Sequence, residues 1–99
     1  MVKESEKTLE RKFNKGIKAL GGWAIKFLPF EVAGLPDRIA LLPGGVVFFA
    51  EIKTTGEKAS KIQNHQHKKL RGLGFEVYVI DNSHFLNQIL LSYEDLQIM

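Results

Sequence analysis

Ninety-nine residues allow one domain, 1–99, built on one modest hydrophobic core. The 44% apolar and 25% charged content is ordinary for a soluble globular chain; 14 Lys and Arg against 11 Asp and Glu permit a polyanionic partner without demanding one. The absence of cysteine excludes a disulfide framework, a thiolate metal site and a cysteine nucleophile. No apolar run approaches the ~18 residues of a membrane span, and the acidic start Met1-Val2-Lys3-Glu4-Ser5-Glu6 does not read as a signal peptide, so no membrane partner and a cytoplasmic location are expected.

From Ser5 to Leu20 the pattern is helical. Leu9, Phe13, Ile17 and Leu20 recur at helical spacing, Ser5 and Thr8 supply N-caps, and Gly21-Gly22 stops the run. At 100° per residue Glu6 projects within the range of the apolar stripe and Glu10 at its edge. A carboxylate on a core-facing edge is costly unless it is paired or metal-bound. Trp23 to Leu28 reads as a first strand carrying Lys26 and ended by Pro29, and Phe30 to Leu35 as a connection in which Gly34 permits a tight approach.

The stretch from Gly34 to Lys53 organises the rest. Two apolar runs, Ile39-Ala40-Leu41-Leu42 and Val46-Val47-Phe48-Phe49-Ala50, flank Pro43-Gly44-Gly45, which is a β-hairpin signal. A three-residue loop sets Leu42 opposite Val46 and Asp37 opposite Glu51. Asp37, Ile39, Leu41, Val47, Phe49, Glu51 and Lys53 then share one side, apolar near the turn and charged at its open end. A two-residue loop would flip the register and part the two acids. Carboxylates directly opposite one another repel, so either Lys53 or a divalent cation must compensate.

Beyond the hairpin, Thr54 to Ala59 is a polar loop. Ser60 caps a helix to about Arg71, ended by Gly72 and Gly74, with sparse apolar positions at Ile62, Leu70 and Leu73. Gln63 and His67 lie four apart on one face of it. Lys58, Lys61, Lys68, Lys69 and Arg71 make this segment basic, which fits either a solvated face or phosphate contact. Phe75 to Ile80 alternates as a last strand, expected parallel to the Glu51 strand. Asp81-Asn82-Ser83 caps a final helix from His84 to about Leu91, and Tyr93 to Met99 reads as an apolar-acidic tail, either frayed or a dimer contact.

Pro36-Asp37, an apolar strand and Glu51-Ile52-Lys53 match the pattern that names the PD-(D/E)xK nuclease superfamily. More narrowly, Gly34-Leu35-Pro36-Asp37-Arg38, the Pro43-Gly44-Gly45 turn, Phe49-Ala50-Glu51-Ile52-Lys53 and Ser60-Lys61-Ile62-Gln63 resemble the VRR-NUC (virus-type replication-repair nuclease) family over roughly residues 6 to 82. The resemblance implies an α/β fold with an αβββαβ core and a Mg²⁺-dependent endodeoxyribonuclease, with Mn²⁺ able to substitute. It further implies action on branched DNA such as Holliday junctions, in replication, repair or recombination, as a homodimer, and inside a host cell if the source is viral. Catalytic roles would fall to Glu10, with Glu6 second, and to Asp37, Glu51, Lys53 and Gln63. Metal ligands would be Asp37, Glu51 and the Ile52 backbone carbonyl, with Glu10 in an outer shell. DNA contacts would come from Lys26, Arg38, Lys58, Lys61, His67 and Lys68. A non-catalytic DNA-binding or assembly module with the same fold is the rival, and a plain structural domain with surface acids a further one.

Overall fold

The computed structural model describes residues 2–26 and 32–98, with the side chains of 97 and 98 left aside. The order is α1 (Glu6–Ala19), β1 (Trp23–Lys26), β2 (Arg38–Leu42), a 3-10 turn (Pro43–Gly45), β3 (Val46–Ile52), α2 (Lys61–Gly72), β4 (Glu76–Ile80) and α3 (Ser83–Ile98). This is the expected αβββαβ arrangement with a closing helix. The expected continuation of β1 to Leu28 and its stop at Pro29 lie outside the described residues.

The sheet runs β1-β2-β3-β4, antiparallel except for the β3–β4 pair, which is parallel across the α2 crossover. The Pro43-Gly44-Gly45 turn closes the hairpin with three residues because Gly44 and Gly45 take φ of 82° and 76°, conformations other side chains resist. Leu42 consequently faces Val46, and the register runs on to Arg38 opposite Ala50. One position further, Asp37 stands across from Glu51. The longer of the two loops considered is therefore the one formed.

Alternation divides the sheet between two helical layers. Ala40, Leu42, Phe48, Ala50, Ile52 and Ile80 face Leu9, Phe13 and Ile17 of α1 and Leu86, Ile89 and Tyr93 of α3, making the main core. Phe48 is its centre. It meets Phe13 and Tyr78 edge-on at 6.1 and 5.3 Å and stacks on Tyr93 at 4.7 Å. The opposite face carries Phe49, edge-on to Phe75 at 5.5 Å, and is covered by α2. Of the apolar positions expected to anchor α2, Ile62 and Leu73 are exposed; the buried residue is His67.

Helix α3 runs well past the expected end at Leu91. Leu86, Ile89, Leu90 and Tyr93 keep the three-and-four spacing of a packing stripe, and the polar Ser92, Glu94 and Asp95 on either side of Tyr93 are exposed. Tyr93 is thus a core residue and not part of a loose tail. Its hydroxyl lies 3.0 Å from that of Tyr78, and burial pushes its pKa upward. Tyr93→Ala should lower the unfolding free energy by about 3–5 kcal/mol in urea titration, and Tyr93→Phe by about 1 kcal/mol. A tail that contributes nothing to the core would leave the transition unmoved in both variants.

Candidate active site

Three separate ties bring the ends of β2, β3, α1 and α2 together. The first joins α1 to the loop after β3: Thr55 N donates to Glu4 O at 3.0 Å, and Glu4 N and Glu6 N donate to the hydroxyls of Thr55 and Thr54 at 2.9 and 3.3 Å. The second joins α1 to α3. The Glu4 carboxylate accepts from Ser83 N at 2.7 Å and from the Ser83 hydroxyl, and pairs with Lys12 at 2.9 Å. Ser83 and Lys12 together hold its pKa down at about 2.

The third tie is at Gly34, whose φ is +85° and where a Cβ would lie 2.7 Å from the Ile62 carbonyl. Only glycine lets this loop press on the first turn of α2, as the Gly34 reading anticipated. Gln66 Nε2 donates to Ala33 O at 3.1 Å across the same contact. Asp37 is carried in just behind it.

Asp37 and Glu51 meet on the α2 side of the sheet. Glu51 is 5% exposed, and its pKa is raised to about 7, first by burial and then by the Asp37 charge; Lys53 and Arg38 oppose the rise and Glu6 adds to it. His67 is fully buried with Nε2 3.7 Å from Glu51 Oε1, beyond hydrogen-bond range. Burial, then Arg71 and Lys53, lower its pKa, disfavouring the charged form. The buried polar side-chain atoms without a hydrogen-bond partner among the described residues all belong to this cluster: Asp37 Oδ1, Glu51 Oε1, both ring nitrogens of His67, and Nε and Nη2 of Arg38.

Such a concentration of buried polar atoms without a partner among the described residues is costly. No group of three or more His, Asp or Glu among the described residues forms a ready-made cage. A Mg²⁺ ion does not need one, since it is usually held by one or two carboxylates with waters and substrate oxygens. Two unpartnered carboxylate oxygens, on acids close enough for the charge of one to act on the other, fit that requirement.

The remaining expected residues fall into distinct places. Glu10 faces two cations of the chain itself. Its Oε2 lies 3.0 Å from Arg38 Nη2 and its Oε1 3.8 Å from Lys26 Nζ. The α1 carboxylate whose charge Glu51 feels is Glu6. Arg38, expected to meet DNA, is 1% exposed and pairs with Asp37 Oδ2 at 2.8 Å. The signal was available: Arg38 is in phase with the core residues Ala40 and Leu42.

Gln63 spends its carbonyl on a capping box, accepting from Ser60 N at 2.9 Å while its own N–H donates to the Ser60 hydroxyl at 3.2 Å. The Ser-x-x-Gln spacing is the signature of that cap. Ile52 ends β3, and the Lys53 N–H donates to Ile80 O at 2.9 Å, which anchors the start of the loop. Lys58, Lys61 and Lys68 are exposed, Lys58 on the rim of a groove of about 370 Å³ shared with Glu57, Ala59, Asn64, Val79 and Asp81.

A hairpin that presents an Asp and a Glu-x-Lys at its open end, with a parallel fourth strand reached through a helix, defines a nuclease fold of the PD-(D/E)xK type. A solved VRR-NUC domain matches this structure with a TM-score of 0.79 and 27% identity, covering 91% of this chain and 99% of that one. In sequence, the chain is 38% identical over 77 residues to "Putative nuclease p44" of Acyrthosiphon pisum secondary endosymbiont phage 1, spanning 78% of this chain and 83% of the phage protein. No protein-family profile matches the sequence. The chain belongs to the VRR-NUC family, and its function is of the nuclease type. No helix among the described residues is long and apolar enough to cross a membrane.

Glu51 gives the metal-free protein a characteristic pH response. A carboxyl whose folded-state pKa is raised contributes stability in its protonated form, and that contribution is lost as pH climbs from the ordinary carboxyl range through about 7. In EDTA, wild type should therefore lose up to about 3 kcal/mol relative to Glu51→Gln between pH 5 and pH 8, measured by urea unfolding. The difference between the two proteins removes the opposing contribution of His67. Parallel pH profiles would show that Glu51 ionises without constraint.

Proposed function

We propose that the chain is a divalent-metal-dependent endodeoxyribonuclease that binds its ion between Asp37 and Glu51. The observation that carries this reading is the pair of buried, unpartnered oxygens, Asp37 Oδ1 and Glu51 Oε1, each in the field of the other. The same field that raises the proton affinity of Glu51 favours a divalent cation, which would neutralise both acids at once. The Ile52 carbonyl is the backbone ligand expected beside them. Mg²⁺ is the ion such an oxygen set suits, with Mn²⁺ as substitute.

When bound, the ion would supply Lewis acidity toward a phosphate oxygen and a lowered pKa for a coordinated water. The protein's own groups do the rest. Lys53, whose charge acts on both Glu51 and His67, stabilises negative charge growing on the phosphate. His67 and the surrounding apolar side chains exclude bulk water from the inner side of Glu51, which strengthens every charge interaction there. Gln63 keeps the first turn of α2 closed over the loop that carries Asp37. Exposed Lys58, Lys61 and Lys68, with half-exposed Lys26, would track the DNA backbone. Arg38 and His67 are too deeply buried for that task.

A preference for branched DNA rests on the likeness to VRR-NUC proteins. Cutting a four-way junction symmetrically needs two active sites, so on that substrate the acting unit would be a homodimer. A panel of supercoiled plasmid, linear duplex, flap and four-way junction, each with Mg²⁺, Mn²⁺ or EDTA, tests activity and substrate together. Asp37→Asn and Glu51→Gln should each cut cleavage about 100-fold or more with unchanged far-UV circular dichroism. Wild-type cleavage in either variant, or equal cleavage in EDTA, would overturn the reading. Lys61→Ala and Lys68→Ala should weaken binding to all sequences alike and reduce the log–log salt slope by about 1 per lost phosphate contact. A loss confined to particular sequences would assign these lysines to base contacts instead.

A further inference from the structure

We infer that the buried guanidinium of Arg38 occupies the place of a second cation, so that the site takes a single divalent ion. The inference rests on the ion site proposed between Asp37 and Glu51 and goes on to fix its stoichiometry. Arg38 lies between two carboxylates from different elements, with Nη1 2.8 Å from Asp37 Oδ2 and Nη2 3.0 Å from Glu10 Oε2. Nη2 makes no aligned hydrogen bond in spite of its distance to Glu10, so the guanidinium acts there as a centre of charge more than as a directional donor. Glu10's other oxygen is turned toward Lys26, at 3.8 Å. The two acids on this side are therefore matched by two cations that belong to the chain itself.

What remains unmatched is on the other side. Asp37 Oδ1 and Glu51 Oε1 have no hydrogen-bond partner among the described residues, and Glu51 stands beside His67 of α2, on the opposite side of β3 from the core residues Ala50 and Ile52. Asp37 is thus a bridging carboxylate with one oxygen given to a fixed positive charge and the other left for a mobile one. A second metal ion between Asp37 and Glu10 would have to displace Arg38, a residue 1% exposed on the core phase of β2. An arginine expelled from such a place would leave its own charge buried and unpaired. Arginine suits the role because it stays charged at any working pH and its planar fork spans two carboxylates at once, which a lysine ammonium does not do in the same geometry.

Arg38 is then a positioning residue: it fixes which oxygen of Asp37 meets the ion, and it makes Glu10 a partner of Arg38 and not a ligand. The test counts Mn²⁺ ions by calorimetry and by electron paramagnetic resonance of free Mn²⁺ in wild type, Arg38→Gln, Arg38→Lys and the double variant Arg38→Gln/Glu10→Gln, with folding checked by far-UV circular dichroism. Wild type and Arg38→Lys should bind one ion. Arg38→Gln should bind two, and the double variant one again, because the uncovered second site needs the Glu10 carboxylate. Two ions in wild type, both lost in Asp37→Asn, would overturn the inference while leaving the Asp37–Glu51 site standing. So would a folded Arg38→Gln that still binds one. If Arg38→Gln does not fold, the wild-type count decides alone. Wild type that binds no Mn²⁺ through Asp37 and Glu51 would overturn the proposed site and this inference together.

Discussion

Asp37 and Glu51 are like charges held face to face at the mouth of a hairpin, with Glu51 withdrawn almost wholly from water. Left to themselves they would part or take up a proton. They cannot part, because the positions of their backbones are set elsewhere: by the Gly44-Gly45 turn at the far end of the ribbon, by Gly34 pressed on α2, and by Thr54 and Thr55 tied to the start of α1; the strain shows instead in the raised proton affinity of Glu51. Each of these contacts is unremarkable alone. Together they over-determine an arrangement that the two carboxylates disfavour.

The stability that tolerates this comes from the other face of the same sheet. Phe48 gathers Phe13, Tyr78 and Tyr93 around it, and the aliphatic residues of α1 and α3 complete the core. The unsatisfied polar atoms lie at the sheet end and on the α2 side. Helix α2 is correspondingly poor in apolar anchors and buries a histidine against Glu51. A protein that violates the rules of polar satisfaction in one compact place, and observes them elsewhere, marks that place as the one kept for function.

Much of this was legible in the residues. The Pro-Gly-Gly turn and period-two alternation narrow the register to two, and the three-residue loop that forms is the one that sets Asp37 across from Glu51. The α1 stripe, the Ser5 cap and the parallel fourth strand follow from equally local rules. The charge of Arg38 suggests an exposed DNA contact, but its phase with Ala40 and Leu42 places it inside. Gln63 has a structural place that the Ser60-x-x-Gln63 spacing announces, as half of a capping box. The polar neighbours of Tyr93 make its segment look like a tail, yet they belong to the outer face of the helix whose inner face it occupies. What no pattern carries is the electrostatics. That Glu51 titrates near 7, or that Glu6 acts on it while Glu10 pairs with Arg38, depends on distances between elements far apart in the chain.

The most direct test is a crystal grown with Mn²⁺ and measured at its anomalous edge. The account predicts one strong anomalous peak within coordination distance of Asp37 Oδ1 and Glu51 Oε1, on the α2 side of the sheet, with Arg38 still between Asp37 and Glu10. A peak held by other residues, or none at Asp37 and Glu51 under saturating Mn²⁺, would contradict it.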